Sequence, residues 1–390
     1  MKSSKRIIFP VEFIFTDRDF SRFGVDLLTS RGFIVEIWLL SPLLNPAYYF
    51  ANQYSSTSNL ISMNLISSKQ QVFSLLSKLT LDDVVMSISS ISPQNYFLYR
   101  EINIKKIPLG FFQGAYLPQL EPQKNITKIV INNLNFKLIN KIYRKIKSLI
   151  TYHIYQKIEA DFVVSIGVKH FNQIPNIFNI SDKFNLIKSH SFDFDTFIKN
   201  EKNEKINLFD SKYILFLDEA VTHHPDHEHS GIDTFCNEKL YFTELNNFFD
   251  FLEHETGFKV VVAAHPKSNY GSVKDFFNGR KIIYGQTIEL VSNAQLVLLH
   301  ASNSVNFAIL YNKPVMYLTS LSYEDEFRRK ISLRADTLSL TPVKLPLDEN
   351  ISINYSVDHS KYEYYLSNYI KYPGSDNKLF WNTVADYLDQ

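Results

Sequence analysis

The chain is nearly free of cysteine: of 390 residues only Cys236 carries a thiol. One cysteine closes no intrachain disulfide and builds no thiolate zinc site, so a reducing cytoplasm is the simplest setting and Cys236 reads as a small packing residue. A charge excess of either sign is also lacking. The 41 basic and 40 acidic residues leave a formal net charge of +1, so no global field attracts nucleic acid and none is expected as a partner. No run of about 18 apolar residues occurs, so no membrane-crossing helix is predicted. The opening MKSSKRIIFPVEFIF is basic and then apolar, but Pro10 and Glu12 cut the apolar run and no small-residue cleavage site comes after it. Arg6–Phe9 therefore reads as a first core strand rather than a secretion signal. No repeat of solenoid period is visible.

The chain has an ordinary globular balance, 45% hydrophobic and 21% charged, and is long enough for about two cores. The first half alternates apolar runs with amphipathic ones. Strands are expected at Arg6–Pro10, Phe33–Leu40, Asp83–Ser89, Ile107–Gly114 and Phe162–Gly167, and helices at Asp19–Thr29 and Gln70–Leu79. This alternation predicts βαβ units on a parallel sheet. Asn133–Ile158 carries six Lys and Arg among Leu, Ile and Tyr. It reads as a basic amphipathic helix, either a solvated surface helix or a contact with an anionic membrane surface. Asn200–Asn207 (NEKNEKIN) has no apolar periodicity and marks a boundary, giving domains 1–199 and 200–390.

The second half repeats the alternation. Strands are expected at Tyr213–Asp218, Phe258–Ala264, Lys281–Gly285, Gln295–His300 and Pro314–Leu318, with helices between them and an amphipathic helix at Phe380–Leu388. Two of these strands stop at polar clusters, His265-Pro266-Lys267 and His300-Ala301-Ser302-Asn303-Ser304. Polar groups at the carboxyl ends of parallel strands stand where open α/β sheets bind ligands. Pro266 holds His265 at the strand end, where an imidazole can donate to a phosphate or protonate a leaving group. Lys267 adds a positive charge. Ser302 or Ser304 can cap the next helix and let its N–H groups approach an anion. Thr287 can start a helix after a strand, and Glu289 can accept from ribose hydroxyls or simply complement the helix dipole. Asp218 through His229 is dense in acids and histidines. It reads as a cleft or surface loop rather than a closed metal site, so no metal is assigned, and Asp218 and Glu219 are its functional candidates.

An HP dipeptide, a G-x-T-x-E-L turn, a strand ending in S-x-S and then A-I-x-x-x-K-P-V together resemble the C-terminal half of GT-B glycosyltransferases that build bacterial surface polysaccharides. The nearest likeness is to enzymes using CMP-activated acid sugars, such as bacterial sialyltransferases and Kdo transferases. It spans about residues 213–320. The resemblance implies a GT-B-like α/β fold of two Rossmann-like domains facing a central cleft, a CMP-linked co-substrate with no bound cofactor, and a surface-polysaccharide or lipid-linked glycan acceptor. It also implies a cytoplasmic enzyme at the inner face of the membrane. His265 takes the HP role; Ser302, Asn303 and Ser304, with Lys267, Thr287 and Glu289, take the donor side. The acidic-acidic-glycine string of some sialyltransferases is absent; Asp218-Glu219-Ala220 is the nearest string, and Glu219 is kept as a catalytic candidate. The loop after the first strand is where such enzymes hold acceptor and base. Asp19 is the base expected there, with Glu12, Asp17, Arg18 and Gln113 on the acceptor side; helix capping by Asp17 or Asp19 is the plainer alternative. A non-hydrolysing UDP-sugar 2-epimerase, a teichoic-acid-type polyol-phosphate transferase and a non-enzymatic binding module are the competing readings.

Overall fold

The computed structural model describes residues 5–52, 62–119, 156–203, 208–209, 211–222, 236–268, 270, 275–347 and 351–390. The chain folds into two compact units, Met1–Gly114 with Glu121–His190 and Tyr372–Gln390, and Ala115–Leu120 with Ser191–Lys371. The division falls at 190/191, where 199/200 was expected, and the C-terminal segment belongs with the first unit. The basic stretch 133–158 lies almost wholly outside the described residues, as does the histidine-rich run 223–229.

The first unit holds seven strands: β1 (Arg6–Val11), β2 (Ile34–Leu39), β3 (Ser62–Leu65), β4 (Val84–Ser87), β5 (Leu109–Phe112), β6 (Phe162–Ser165) and β7 (Asn185–Lys188). Their order is β3-β2-β1-β4-β5-β6-β7, every pair parallel. The central strands are mostly apolar, as strands covered on both faces must be; Arg6 opens β1, Glu36 lies in β2, and Ser87 and Ser165 end β4 and β6. The edge strands SMNL and NLIK are short and polar, so they lack that signature. The helix expected over Asp19–Thr29 is two, Asp17–Arg22 and Val25–Ser30. Gly24 breaks it in the left-handed region at φ 59°. A Cβ there would collide with the Trp381 ring. That ring lies on the sheet, 5.4 Å from Phe9 and 5.0 Å from Phe112 between centroids, and its Nε1 donates to the Arg22 carbonyl at 2.6 Å. The expected Phe380–Leu388 helix thus closes the first unit's core with Phe380 and Trp381.

The second unit holds β8 (Tyr213–Leu217), β9 (Lys259–Ala263), β10 (Ile282–Ile283), β11 (Leu296–Leu299), β12 (Val315–Ser320) and β13 (Val343–Leu345). Their order is β10-β9-β8-β11-β12-β13, again all parallel. Both sheets are wound alike. The chain enters at a middle strand, builds outward, then crosses back and builds the other way. The reversal falls between β1 and β4 in one unit and between β8 and β11 in the other, the position at whose carboxyl ends open α/β sheets bind ligands. The architecture is therefore two Rossmann-like α/β units, the GT-B-like fold class expected. Among the described residues no helix is long and apolar enough to cross a membrane.

Candidate functional site

The reversal in the second unit is built around the end of β8. Asp218, 4% exposed, accepts from the His265 N–H at 3.1 Å and the Ala220 N–H at 3.0 Å. It therefore ties β8 to the loop after β9. The second bond also holds Ala220 in the left-handed region, φ 50°, which costs free energy in a residue with a Cβ. Glu219 reaches the other way and accepts from the Ala301 N–H at 2.6 Å, tying β8 to the loop after β11. Burial raises the pKa of both acids, against the N–H donors that favour their ionised forms. The two strand-end clusters singled out by sequence therefore flank one strand and are each pinned to it. Two strand spacings, about 10 Å, separate them, a span that one nucleotide monophosphate can bridge.

His265 opens a tight turn. Its carbonyl accepts from the N–H and the hydroxyl of Ser268, at 2.9 and 2.7 Å, with Pro266 at the first corner. The Lys267 N–H lies 3.2 Å from His265 Nδ1. A backbone N–H can only donate, so Nδ1 accepts and the neutral ring carries its hydrogen on Nε2. Lys267 itself is exposed. Ser302 Oγ accepts from the Ser304 N–H at 3.3 Å, while Ser304, at the N-cap, makes no side-chain cap bond. The helix after it, Val305–Leu310, is six residues long. Its dipole is small, so an anion here would be held by hydroxyls, N–H groups and neighbouring cations rather than by the helix. Thr287 is the first residue of its helix behind Gln286, and Oε2 of Glu289 is buried without a hydrogen-bond partner. His300 is a core residue. Its Nδ1 must donate to the Leu318 carbonyl at 2.9 Å, so Nε2 accepts from Tyr241 OH at 3.1 Å, and burial lowers its pKa to about 4.

Sequence reasoning missed Lys330 and Arg334. They lie on the helix Asp325–Asp336, where Arg334 is buried and its Nη1 donates to the Asn303 side chain at 3.3 Å. Both cations act on Glu219. Burial and the neighbouring Arg334 lower the pKa of Lys330. The signal that could have found them is RRK and then R four residues later, in a segment with little apolar content.

In the first unit, Glu12 stands at the carboxyl end of β1, at that sheet's own reversal. Asn95 Nδ2 donates to its Oε1 at 2.7 Å, and burial, outweighing the Asn95 and Ser89 hydrogen bonds, raises its pKa. Asp19 is engaged differently. Its Oδ2 accepts from the Thr16 N–H at 3.0 Å and the Thr16 hydroxyl at 2.7 Å, completing a capping box. Asp17 and Arg18 are exposed in the first turn of that helix. Gln113 comes just after β5, and its Oε1 lies 3.1 Å from Nε2 of the buried His170. The Ile166 N–H donates to the other ring nitrogen, so His170 Nε2 donates to Gln113; burial lowers this histidine's pKa to about 3. The structure thus gathers Glu12 and Gln113 at one sheet edge of the first unit. It gathers Asp218, Glu219, His265, Ser302, Asn303, Lys330 and Arg334 at one edge of the second. Among the described residues no group of three or more His, Cys, Asp and Glu could hold a metal ion. Two cavities of about 530 and 410 Å³ are lined by none of these candidates.

No protein-family profile matches the chain, and no curated sequence does. Among solved structures it is similar to MurG of Acinetobacter baumannii, with 10% identity over 87% of this chain and 86% of that one, at a TM-score of 0.42. It is similar to a variant of the wall teichoic acid polymerase TagF, with 12% identity over 99% and 88%, at 0.44. A putative UDP-N-acetylglucosamine 2-epimerase from Listeria monocytogenes gives 11% identity over 87% and 84%, at 0.45. Likeness at this level decides neither donor nor reaction.

Proposed function

We propose that the chain is a glycosyltransferase that moves a sugar from a nucleotide donor, a CMP-linked acid sugar, to a surface-polysaccharide or lipid-linked glycan. The observation that carries this reading is the tip of β8, where Asp218 and Glu219 pin the His265 turn and the Ser302–Ser304 loop to either side of one strand. In this reading the Ser302–Ser304 loop and Lys267 hold the donor phosphate. The Nε2–H of His265 donates to that phosphate as it leaves, and Glu289, with Thr287 beside it, meets the ribose. These fixed donors neutralise the charge that develops on the leaving group. The base is assigned to Glu12 rather than Asp19, because Asp19 is spent on a cap while burial leaves Glu12 with a raised affinity for a proton. Glu219 acts as a positioning residue for the serine loop. The enzyme works at the inner membrane face, with the basic segment 133–158 addressing the lipid surface.

A thermal-shift screen with CMP, UDP, GDP and CDP tests the reading, because a ligand that binds the folded state raises its melting temperature. CMP should stabilise most, and His265→Ala should shrink the shift. Stabilisation by UDP alone would remove the CMP assignment and leave the transferase. Interconversion of a UDP-sugar without transfer would replace it with an epimerase.

A further inference from the structure

Lys330 and Arg334 stand one turn apart on a helix that packs on β12. Cations at this spacing repel. Arg334 is 6% exposed, yet its guanidinium gains an amide oxygen, Asn303 Oδ1, and its Nε–H has no acceptor. A buried guanidinium ordinarily meets a carboxylate or phosphate across its fork of donors. Glu219 is the acid nearby, but its Oε2 is committed to the Ala301 N–H. The surroundings add hydroxyls, each able to donate. The hydroxyls of Tyr317 and Thr319, two residues apart on one face of β12, are buried without partners, and so is the hydroxyl of Tyr365. Tyr317 and Tyr365 both feel the Arg334 charge. Unmatched O–H and N–H donors around a buried cation are the complement of an oxyanion.

We propose that Lys330 and Arg334 form an oxyanion subsite beside the Ser302–Ser304 loop that takes the phosphate joining nucleotide to sugar. The subsite takes the identity of its ligand from the nucleotide-sugar reading above. Its geometric link to that site is the Arg334–Asn303 bond, which fixes the guanidinium to the middle residue of the serine loop. Lys330 supplies the second charge, one turn away.

The test is isothermal titration of the full chain with CMP, cytidine and inorganic pyrophosphate, for wild type, Lys330→Met and Arg334→Lys. Arg334→Lys keeps the charge and loses the fork; Lys330→Met removes a repelling charge and leaves the core intact. Each variant should weaken CMP and pyrophosphate binding by about tenfold. Cytidine binding should not change, as a purely structural role for either cation would not allow. CMP binding that is equally tight in all three proteins would overturn the subsite and leave the nucleotide reading intact. Pyrophosphate binding that is lost in the variants, with no nucleotide bound by any protein, would keep the subsite and remove the nucleotide reading. Failure to bind either ligand would remove both.

Discussion

The two units are wound the same way and put an acid at the same place, the end of the strand beside the reversal, yet they surround it with opposite partners. Glu12 in the first unit has an amide and a hydroxyl, both neutral, and burial raises its pKa. Asp218 and Glu219 in the second unit are locked by backbone N–H groups, and Lys330 and Arg334 bear on Glu219. Burial raises the pKa of the acid at both edges, so the cations beside Glu219 are what separates them; in the proposed reading the first edge takes a proton and the second holds an anion. One topology can carry both tasks because the reversal fixes only where a side chain stands, while its neighbours decide what it does.

Four changes put this contrast under strain. Glu12→Gln should lower kcat by about 10²–10⁴ and leave nucleotide affinity as it was; steady-state kinetics beside titration would show this. A fall in affinity instead would erase the division of labour. Trp381→Ala should cost about 3–5 kcal/mol, measured by denaturant unfolding, because the ring packs against Phe9, Phe112 and Gly24. That loss should come from the first unit, with CMP affinity below the melting range unchanged.

Acid should weaken both units in one window. His170 and His300 are neutral when folded, with pKa values of about 3 and about 4. Unfolded, each takes up a proton below its ordinary pKa of about 6.5. Their contribution is therefore complete above that pH and is lost as the pH falls toward the folded values, at about 1.4 kcal/mol per unit for each ring. Glu12, Asp218 and Glu219, whose folded pKa values are raised, oppose this on acidification. The histidine effect is thus read as the stability difference between wild type and His170→Asn or His300→Asn across the pH range. A difference that ignores pH would show that the rings are not held neutral. The smallest effect is His265→Ala, which should weaken CMP binding by about tenfold with no change in unfolding free energy.

The central strands are legible in sequence because burial on both faces writes them as unbroken apolar runs. Ile7–Phe9, Ile214–Leu217 and Leu296–Leu299 are all inaccessible to solvent or nearly so. Hidden from that reading are β3, β7 and β13, which sit at sheet edges, run three or four residues and mix polar with apolar. The strand-end clusters at His265 and Ser302 could be read because parallel winding gathers the residues just past such strands at one edge. Asp19 and Glu12 could not be ranked that way, since a cap and a base look alike until their hydrogen bonds are known. Gly24 and Trp381 are 357 positions apart, and only the folded chain shows that one makes room for the other. Lys330 and Arg334 were hidden by their helix, which in sequence reads as a solvated surface segment.

A crystal structure with CMP bound would decide where the nucleotide sits. The phosphate is expected at the carboxyl end of β8, within hydrogen-bond reach of His265 Nε2 and of the Ser302–Ser304 loop. A phosphate seated at the edge of the first unit's sheet, or away from the ends of β8, β9 and β11, would contradict the assignment of donor binding to the second unit.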